Sequence, residues 1–399
     1  MNKPLDTDVT QSYVDWKVVR LGDICRLING RAYNKNELLD EGKYPVLRVG
    51  NFFSNRSWYY SDLELDKDKY CNHGDLLYAW SASFGPRIWE GGKVIYHYHI
   101  WKTEVDHTKV LKEFLYHWFD WDTEKIKKDQ GAGTTMVHVT KGSMEARSLL
   151  LPSLPEQKRI VAILNEAFAG ISQAIANTEK NLANARELFE SYLNDVFTRK
   201  GEGWVESTLG GVCSFEGGSQ PPKADFSYEL KEGYIRLIQI RDYKTDNHIV
   251  YIPKNKARRF CSTDDVMIGR YGPPLFQILH GIHGAYNVAL MKAVPKEDLI
   301  SKDYLYYFLK NGNILRYIIN ASNRAAGQIG LNKATLEPYP IAFPNLPKQS
   351  DIVSQLEELH EKAKSLENIY QQKLKALSEL KQSILQKAFT GDLTKDLPL

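Results

Sequence analysis

The sequence has few cysteines, and they do not pair at metal-binding spacing. Its four cysteines are scattered over 399 residues without a Cys-x-x-Cys: Cys25, Cys71, Cys213 and Cys261. This spacing excludes a zinc knuckle and disfavours a disulfide-stapled secreted scaffold. The polar opening MNKPLDTDVTQ predicts no signal peptide, and no continuous apolar run approaches the length that crosses a bilayer. We therefore expect a reduced, cytoplasmic protein.

A strong excess of either charge is also absent. The 52 Lys and Arg residues nearly balance the 49 Asp and Glu residues, which leaves a formal net charge of +3. A nucleic-acid-binding role would need local positive patches, or a partner that neutralises part of the phosphate charge. The hydrophobic share of 43% and the charged share of 25% are typical of a soluble chain with two or three domains. Aromatic residues reach 12%, which fits β-rich cores or an aromatic contact surface.

The chain contains two copies of one module. Trp16, followed by Leu21-Gly22, recurs as Trp204 followed by Leu209-Gly210, and LLLPSLPEQKRIVAIL at 149–164 recurs as IAFPNLPKQSDIVSQL at 341–356. The matches keep their order at an offset of about 190 residues, far longer than a solenoid repeat. The sequence therefore predicts a duplicated domain. Its expected segments are 1–150, 151–200, 201–342 and 343–399.

Each copy begins with strand-type sequence and ends in a helical pattern. Short β-type runs between Gly, Asn and Ser clusters predict mixed α/β domains. These runs are 44–49, 75–80 and 94–101 in the first copy, and 234–240, 266–271 and 286–292 in the second. A short helix is expected near 110–120. After paired prolines (152/155 and 344/347), apolar residues recur every three or four positions, which predicts helices of roughly 40 residues and about 60 Å.

Each predicted long helix has an apolar stripe, here called its seam, that needs another helix to pack against. The simplest partner of each helix is the equivalent helix of the other copy. The most economical arrangement packs the two helices antiparallel as a coiled coil that carries one domain at each end. In the alternative arrangement each helix docks separately on its own small domain, which is shorter than the seam. The predicted fold class is α+β, with two mixed α/β domains, two long antiparallel helices and a pseudo-two-fold internal repeat.

The motifs that usually mark an enzyme are incomplete. Gly131-Ala-Gly-Thr-Thr lacks the lysine of a phosphate loop, and Gly272-Pro-Pro-Leu lacks the polar and aromatic residues of an adenine methyltransferase loop. Glu156-Gln-Lys resembles part of a nuclease site, but the second copy has lysine at the glutamate position. His97 and His99 are predicted to alternate along a strand, where a polar surface is more expected than a metal site. No catalytic residue and no metal ligand is predicted.

The repeated boxes resemble a known family. Two variable domains that open with Trp-x-x-x-x-Leu-Gly and close on a Leu-Pro-x-Pro-Glu-Gln type box resemble the specificity subunit of Type I restriction–modification systems. The most specific parts are the boxes at 151–160 and 343–352 and the helix endings at 197–198 and 389–393. Pro-Lys-Gln in the second box departs from the usual Pro-Glu-Gln. The resemblance spans the whole chain.

The resemblance implies a division of labour. Each variable domain would be a target recognition domain that reads one half of a bipartite double-stranded DNA target. The helices would form a spacer that sets the distance between half-sites and docks two modification subunits, which methylate adenine at N6 with S-adenosylmethionine. Restriction subunits would join with ATP and Mg²⁺. This chain itself would be non-catalytic and would hold no cofactor.

Candidate DNA contacts are polar and cationic residues in loops that differ between the copies. Base edges need side chains with several hydrogen-bonding groups, and phosphates need cations. The first-copy candidates are Arg48, Asn51, Trp80, Ser81, Ser83, Arg87, Thr134, Thr135 and Lys141. The second-copy candidates are Gln239, Arg241, Lys254, Arg258, Arg259, Arg270, Tyr271, Gln277, Arg324, Gln328, Asn332 and Lys333. Loops that drift freely would differ in the same way, so a single sequence leaves both interpretations open.

Two other functions fit parts of the sequence. A duplicated scaffold that binds only proteins through its helices would suit the small net charge. A nucleic-acid enzyme with an unrecognised site is the second. Salt-dependent binding of duplex DNA with the modification subunit would argue against the scaffold, and methyl transfer by the isolated chain would favour the enzyme.

Overall fold

The computed structural model describes residues 16–54, 57–81, 84–129, 139–272, 274–324 and 331–395. The side chains of residues 128–129 and 322–324 are outside this description. The chain divides into two units. Unit 1 comprises residues 1–178 and 373–399, and unit 2 comprises residues 179–372.

Unit 1 is built mainly from the first copy of the module. Its strands are β1 (Lys17–Arg20), β2 (Cys25–Asn29), β3 (Tyr44–Leu47), β4 (Tyr59–Ser61), β5 (Tyr70–Cys71), β6 (Leu76–Ala79), β7 (Gly85–Ile88), β8 (Val94–Tyr96), β9 (Ile100–Val105) and β10 (Ser148–Leu151). Its helices are α1 (Val49–Ser54), α2 (Lys112–Asp129), α3 (Lys141–Glu145) and the first part of α4 (Leu154–Thr198).

These strands form three sheets. One pairs β1 with β10, a second has the order β2-β9-β6-β7 and is antiparallel, and a third has the order β4-β3-β8-β5. In the third sheet β3 and β8 run parallel. The core lies between the second sheet and α2, where the ring of Tyr78 stacks on Trp101 at 5.9 Å and contacts Phe119 at 5.1 Å. This aromatic packing accounts for part of the high aromatic content.

Unit 2 repeats the same plan. Its strands are β11 (Val205–Thr208), β12 (Cys213–Gly217), β13 (Tyr234–Ile238), β14 (Tyr251–Pro253), β15 (Phe260–Cys261), β16 (Val266–Gly269), β17 (Gln277–Leu279), β18 (Gly284–Tyr286), β19 (Leu290–Pro295) and β20 (Pro340–Phe343). Its helices are α5 (Leu209–Val212), α6 (Lys302–Lys310), α7 (Gly312–Arg324), α8 (Lys333–Leu336) and most of α9 (Leu346–Thr390). The sheet orders β12-β19-β16-β17 and β14-β13-β18-β15 match those of unit 1 strand for strand. The predicted duplication and mixed α/β fold are confirmed.

One expected strand is two strands. The run 94–101 was predicted to be continuous, but β8 ends at Tyr96 and β9 begins at Ile100. A turn joins them, closed by the Ile100 N–H, which donates to the carbonyl of His97 at 2.9 Å. β8 pairs with β3 in one sheet, whereas β9 pairs with β2 and β6 in another. His97 and His99 therefore lie on a turn, and the prediction that they alternate along a strand was wrong.

A recurring glycine is explained by close backbone packing. A Cβ on Gly30 would lie 2.2 Å from the carbonyl oxygen of Tyr96, and a Cβ on Gly218 would lie 1.9 Å from that of Asn287. Gly30 donates its N–H to the Ile100 carbonyl, and Gly218 donates to the equivalent Leu290 carbonyl. Only glycine fits both positions, since the strand crosses the turn without room for a side chain.

Helices α4 and α9 contain 45 residues each, about 68 Å at 1.5 Å per residue. Four of the buried residues of α4 are spaced seven positions apart, as in a coiled-coil seam: Leu164, Ile171, Thr178 and Ala185. By length and composition alone, α4 is the one described helix that could also cross a membrane, although its sequence contains no continuous apolar run of that length. Ile160, Leu164 and Ile171 of α4 are buried within unit 1, which accounts for part of its apolar character.

Within each unit the two helices run antiparallel, as predicted. In unit 1, Glu156 at the start of α4 contacts Thr394, just beyond α9, and Phe168 lies 5.3 Å from the ammonium of Lys381. In unit 2, Arg186 pairs with Glu367 at 2.9 Å, and Tyr192 donates to Gln355 at 3.1 Å. In both units, residues further along α4 contact residues earlier in α9, which is the pattern of antiparallel helices.

The repeated box attaches each helix to its domain through a buried glutamine. The side chain of Gln157 accepts from the Leu111 N–H at 2.8 Å and donates to the carbonyls of Lys109 and Pro152 at 2.9 Å. Gln349 repeats this pattern with the Ser301 N–H and with the carbonyls of Leu299 and Pro344. The preceding residue, Lys348, is exposed, so the departure from Pro-Glu-Gln leaves the buried contacts intact.

The far end of each helix packs on the domain of the other copy. Phe389 near the end of α9 contacts the rings of Phe114 and Trp121 in unit 1, at 5.3 and 5.4 Å. In unit 2, Phe197 at the end of α4 contacts Tyr304 and Phe308, also at 5.3 and 5.4 Å. The alternative in which each helix docks only on its own domain is therefore wrong, and the recurring Phe-Thr endings are domain contacts.

Candidate nucleic-acid interface

In unit 1 a polar pocket lies where two parallel strands end. Arg48 follows β3 and His97 follows β8, so both side chains lie at the same edge of the third sheet. The His97 N–H donates to the Leu47 carbonyl at 2.9 Å and joins the two strand ends. The pocket has a volume of about 380 Å³ and is lined by Arg48, Val49, Gly50, Asn51, Ser57, Tyr59, His97 and His99. Strand carboxyl ends of this kind are frequent ligand sites.

The Arg48 side chain is held over an aromatic ring while remaining exposed. Its guanidinium carbon lies 5.3 Å from the ring centroid of Tyr59. Beneath it, the buried Asn51 accepts from the Arg48 N–H at 3.3 Å and donates to the Ser57 carbonyl at 3.1 Å. Asn51, predicted as a DNA contact, thus positions the loop that carries Arg48.

The His97 side chain is an uncharged hydrogen-bond donor. Burial, with smaller effects from His99 and Arg48, lowers the pKa of His97 to about 4, so its imidazole is neutral at neutral pH. Its Nδ1 accepts from the His99 N–H at 3.4 Å, which places the proton on Nε2. The ring centroid lies 4.8 Å from that of His99 and 4.4 Å from that of Tyr98. No cluster of three or more potential metal ligands lies among the described residues.

Unit 2 carries different residues on the same framework. Gln239 follows β13 at the position of Arg48, and its N–H donates to Asp242, which corresponds to Asn51, at 3.1 Å. Asn287 follows β18 at the position of His97, donates its N–H to Ile238 and accepts from the Ala289 N–H at 3.1 Å. The sequence paired Arg48 and Asn51 only roughly with Gln239, Arg241 and Asp242. The structure gives the pairs 48/239, 51/242, 97/287 and 99/289.

The loops after β6 and β16 also match. Trp80 donates from its indole N–H to the Tyr98 carbonyl at 2.9 Å, and Arg270 donates to the equivalent Val288 carbonyl at 3.2 Å. Trp80 also stacks on Trp101 at 5.7 Å, and Ser81 is buried. Arg270 makes a further hydrogen bond to the Leu331 carbonyl at 3.1 Å. These side chains help to hold the turn between β8 and β9 and its counterpart, while Tyr271 is exposed.

Several other candidates have partners within their own unit. Arg87 donates to the Phe52 carbonyl, Lys141 pairs with Glu145 at 3.5 Å, and Gln277 donates to the Pro274 carbonyl at 3.1 Å. Asn332 caps α8 by accepting from the Ala334 N–H at 3.2 Å, and Lys333 beside it is exposed. Arg324 ends α7, and its side chain is outside the described residues. Ser83, Thr134, Thr135 and Gln328 also lie outside them.

The remaining cations of unit 2 lie on its surface. Arg241, Lys254, Arg258 and Arg259 are exposed. Arg259 lies 3.6 Å from Glu216, and Arg241 reaches the His248 carbonyl at 3.5 Å. Their assignment as phosphate contacts stays a prediction. The sequence missed Tyr59, His97, His99 and Asn287 as possible contacts, although the unlike residues at 97/287 and 99/289 within a matched segment were a usable signal.

Comparisons with known proteins agree on one family and one fold. The family model for the Type I restriction modification DNA specificity domain matches residues 13–182 and 201–376. The EcoBI specificity subunit of Escherichia coli is 24% identical over 95% of this chain and 86% of that protein. The EcoDI specificity subunit of Escherichia coli is 24% identical over 96% of this chain and 89% of that protein.

Solved structures give the same result for the fold. A chain from work on complex assembly and conformational transition of the type I R-M system has a TM-score of 0.76 at 20% identity. The match covers 96% of this chain and 100% of that one. The HsdS subunit from Thermoanaerobacter tengcongensis has a TM-score of 0.57 at 20% identity, with coverage of 95% of this chain and 98% of that one.

Proposed function

The chain belongs to the Type I restriction modification DNA specificity family, whose members are non-catalytic recognition subunits, and from this premise we propose how it acts. Each domain recognises one half of a bipartite duplex target. The helices dock two modification subunits, and restriction subunits join the complex. Consistent with this role, the protein works in the cytoplasm and takes no cofactor of its own. S-adenosylmethionine, ATP and Mg²⁺ are used by its partners.

One observation carries this proposal. The two domains keep the same framework, including Gly30/Gly218 and Gln157/Gln349, yet differ at the strand-end positions 48/239 and 97/287. A common framework with different polar residues at the strand ends is what two readers of unlike half-sites require. A scaffold that binds only proteins has no need of this contrast.

Exposed apolar side chains on the long helices support partner docking. Leu188 on α4 is 56% exposed, and Ile369 on α9 is 52% exposed. Leu366 and Leu380 on α9 are also exposed. Large apolar residues on a helix surface are typical of protein contact sites when they lie in groups. The small net charge fits the same view, since partners would supply part of the phosphate neutralisation.

The test combines methylome sequencing with binding. Cells that express the chain with its modification subunits should acquire N6-methyladenine in one bipartite motif, whereas either component alone should give none. The purified complex should bind duplexes carrying that motif with an affinity that falls as salt rises. Methyl transfer by the isolated chain, or a complex without sequence preference, would contradict the proposal.

A further inference from the structure

The pocket of unit 1 presents hydrogen-bond donors to solvent. Arg48 is exposed, and a guanidinium can only donate. His97 is partly exposed, and its Nδ1 is engaged with the His99 N–H, so the Nε2–H remains as its donor. Guanine shows two acceptors, N7 and O6, in the major groove. A pair of donors at one strand-end pocket therefore matches guanine better than it matches any other base.

The surroundings of the pocket also suit a base. Tyr98, on the turn between His97 and His99, is 38% exposed, and Tyr59 under Arg48 is 38% exposed as well. Phe53 on α1 is 41% exposed. Aromatic side chains at a rim offer apolar surface to bases and thymine methyl groups, while the Tyr59 ring restrains the Arg48 guanidinium.

The equivalent positions of unit 2 carry amides. Gln239 replaces Arg48, and its carboxamide nitrogen is buried without a hydrogen-bond partner among the described residues of unit 2. The side chain must therefore turn outward to reach a base, and this turn breaks no hydrogen bond of that nitrogen. Asn287 replaces His97 and uses its oxygen in the same way as His97 uses Nδ1, by accepting from the N–H two residues later. A carboxamide both donates and accepts, which matches the N6 donor and N7 acceptor of adenine.

We propose that Arg48 and His97 form a guanine-reading pocket in the first domain, and that Gln239 and Asn287 read adenine at the equivalent place in the second. This inference rests on the proposed function and names which residues select which base. Asn51 and Asp242 are positioning residues in this scheme, because each holds the backbone of the loop that carries the reading residue.

The test exchanges the paired residues between the domains in the complete complex. The double variant Arg48→Gln with His97→Asn gives the first domain the two residue types that the second domain carries at the equivalent positions. The complex with modification subunits should then change one base of one half-site from guanine to adenine and keep the other half. The ratio of methylation rates on guanine and adenine duplexes should change by about tenfold or more. Gln239→Arg with Asn287→His should do the reverse in the other half.

Two further variants are needed to interpret the result: a control outside the pocket, and a domain replacement that shows which half-site the first domain reads. Arg26→Gln removes an exposed arginine of β2 that pairs with Glu104 outside the pocket, and it should leave the motif unchanged. Replacing residues 1–150 with the domain of another specificity subunit should change only one half of the motif, which identifies the half read by the first domain.

Several outcomes would overturn the inference. These are a first-domain half-site without guanine, an unchanged motif in a folded double variant, or changes in both halves. Uniform loss of methylation on all duplexes would make Arg48 a phosphate contact and would also overturn it. A wild-type complex without any motif would instead reject the proposed function, so the two failures are distinguishable.

Discussion

At the residue scale, two buried glutamines explain why the same short box precedes both long helices. Gln157 and Gln349 are completely buried, and each closes three hydrogen bonds with backbone groups of its domain. A carboxamide can donate and accept at once, which no carboxylate or apolar side chain of similar size can do. The residue type is therefore dictated by the local backbone.

Replacing Gln157 with alanine should destabilise unit 1. The substitution leaves the Leu111 N–H and the carbonyls of Lys109 and Pro152 without their buried partner, which costs about 3 kcal/mol in total. Urea unfolding of the purified chain measures the loss. The neighbouring exposed Lys158→Ala is the control and should change stability little; equal effects from both variants would refute a special role for Gln157.

The glycines provide a second residue-scale prediction. Gly30→Ala and Gly218→Ala would each place a methyl group against a backbone carbonyl, and each should cost more than about 2 kcal/mol. Gly170 in α4 has open space around it, so Gly170→Ala should instead stabilise by about 0.5–1 kcal/mol. Thermal unfolding of the three variants tests the contrast in sign. A stabilising effect at Gly30 would show that the strand crossing is looser than described.

At the element scale, the helix endings should stabilise one unit each. Phe389 is buried against Phe114 and Trp121, so Phe389→Ala should destabilise unit 1 by about 3 kcal/mol. Hydrogen exchange should rise in α2 and stay unchanged in α6. Phe197→Ala should have the opposite distribution, with a smaller cost because Phe197 is only partly buried. Faster exchange in α2 and α6 alike from either variant would contradict this assignment.

The sequence could predict elements whose pattern is local. Heptad spacing gave both long helices, and the matched boxes gave the duplication. The break between β8 and β9 was not visible in the sequence, because the residues on both sides favour strands. The two strands belong to different sheets, since β8 pairs with β3 and β9 pairs with β6. For the same reason Asn51 looked like an exposed contact, although its burial depends on a loop that folds back over it.

At the scale of the whole molecule, α4 and α9 both pass from one unit to the other. The boundaries fall after residues 178 and 372. Inserting four residues at both boundaries adds about 6 Å to each helix and nearly preserves the phase of the seam. The preferred gap between half-sites should grow by about one or two base pairs, at about 3.4 Å each, with unchanged half-site sequences.

Methylation of a panel of duplexes with fixed half-sites and varied gaps measures this effect. Four-residue insertion in only one helix is the control, because it shifts one side of the seam against the other and should reduce activity on every gap. A folded double insertion that retains the original gap would show that the helices do not set the distance.

The packing of α9 against the first domain also orders events during synthesis. Unit 2 is one continuous stretch, so the ribosome completes it once residue 372 has emerged. Unit 1 still lacks Leu385, Ala388 and Phe389 at that moment, and all three belong to its core. The domain made first is thus finished last, because its core lacks these three side chains until the end of α9 has emerged.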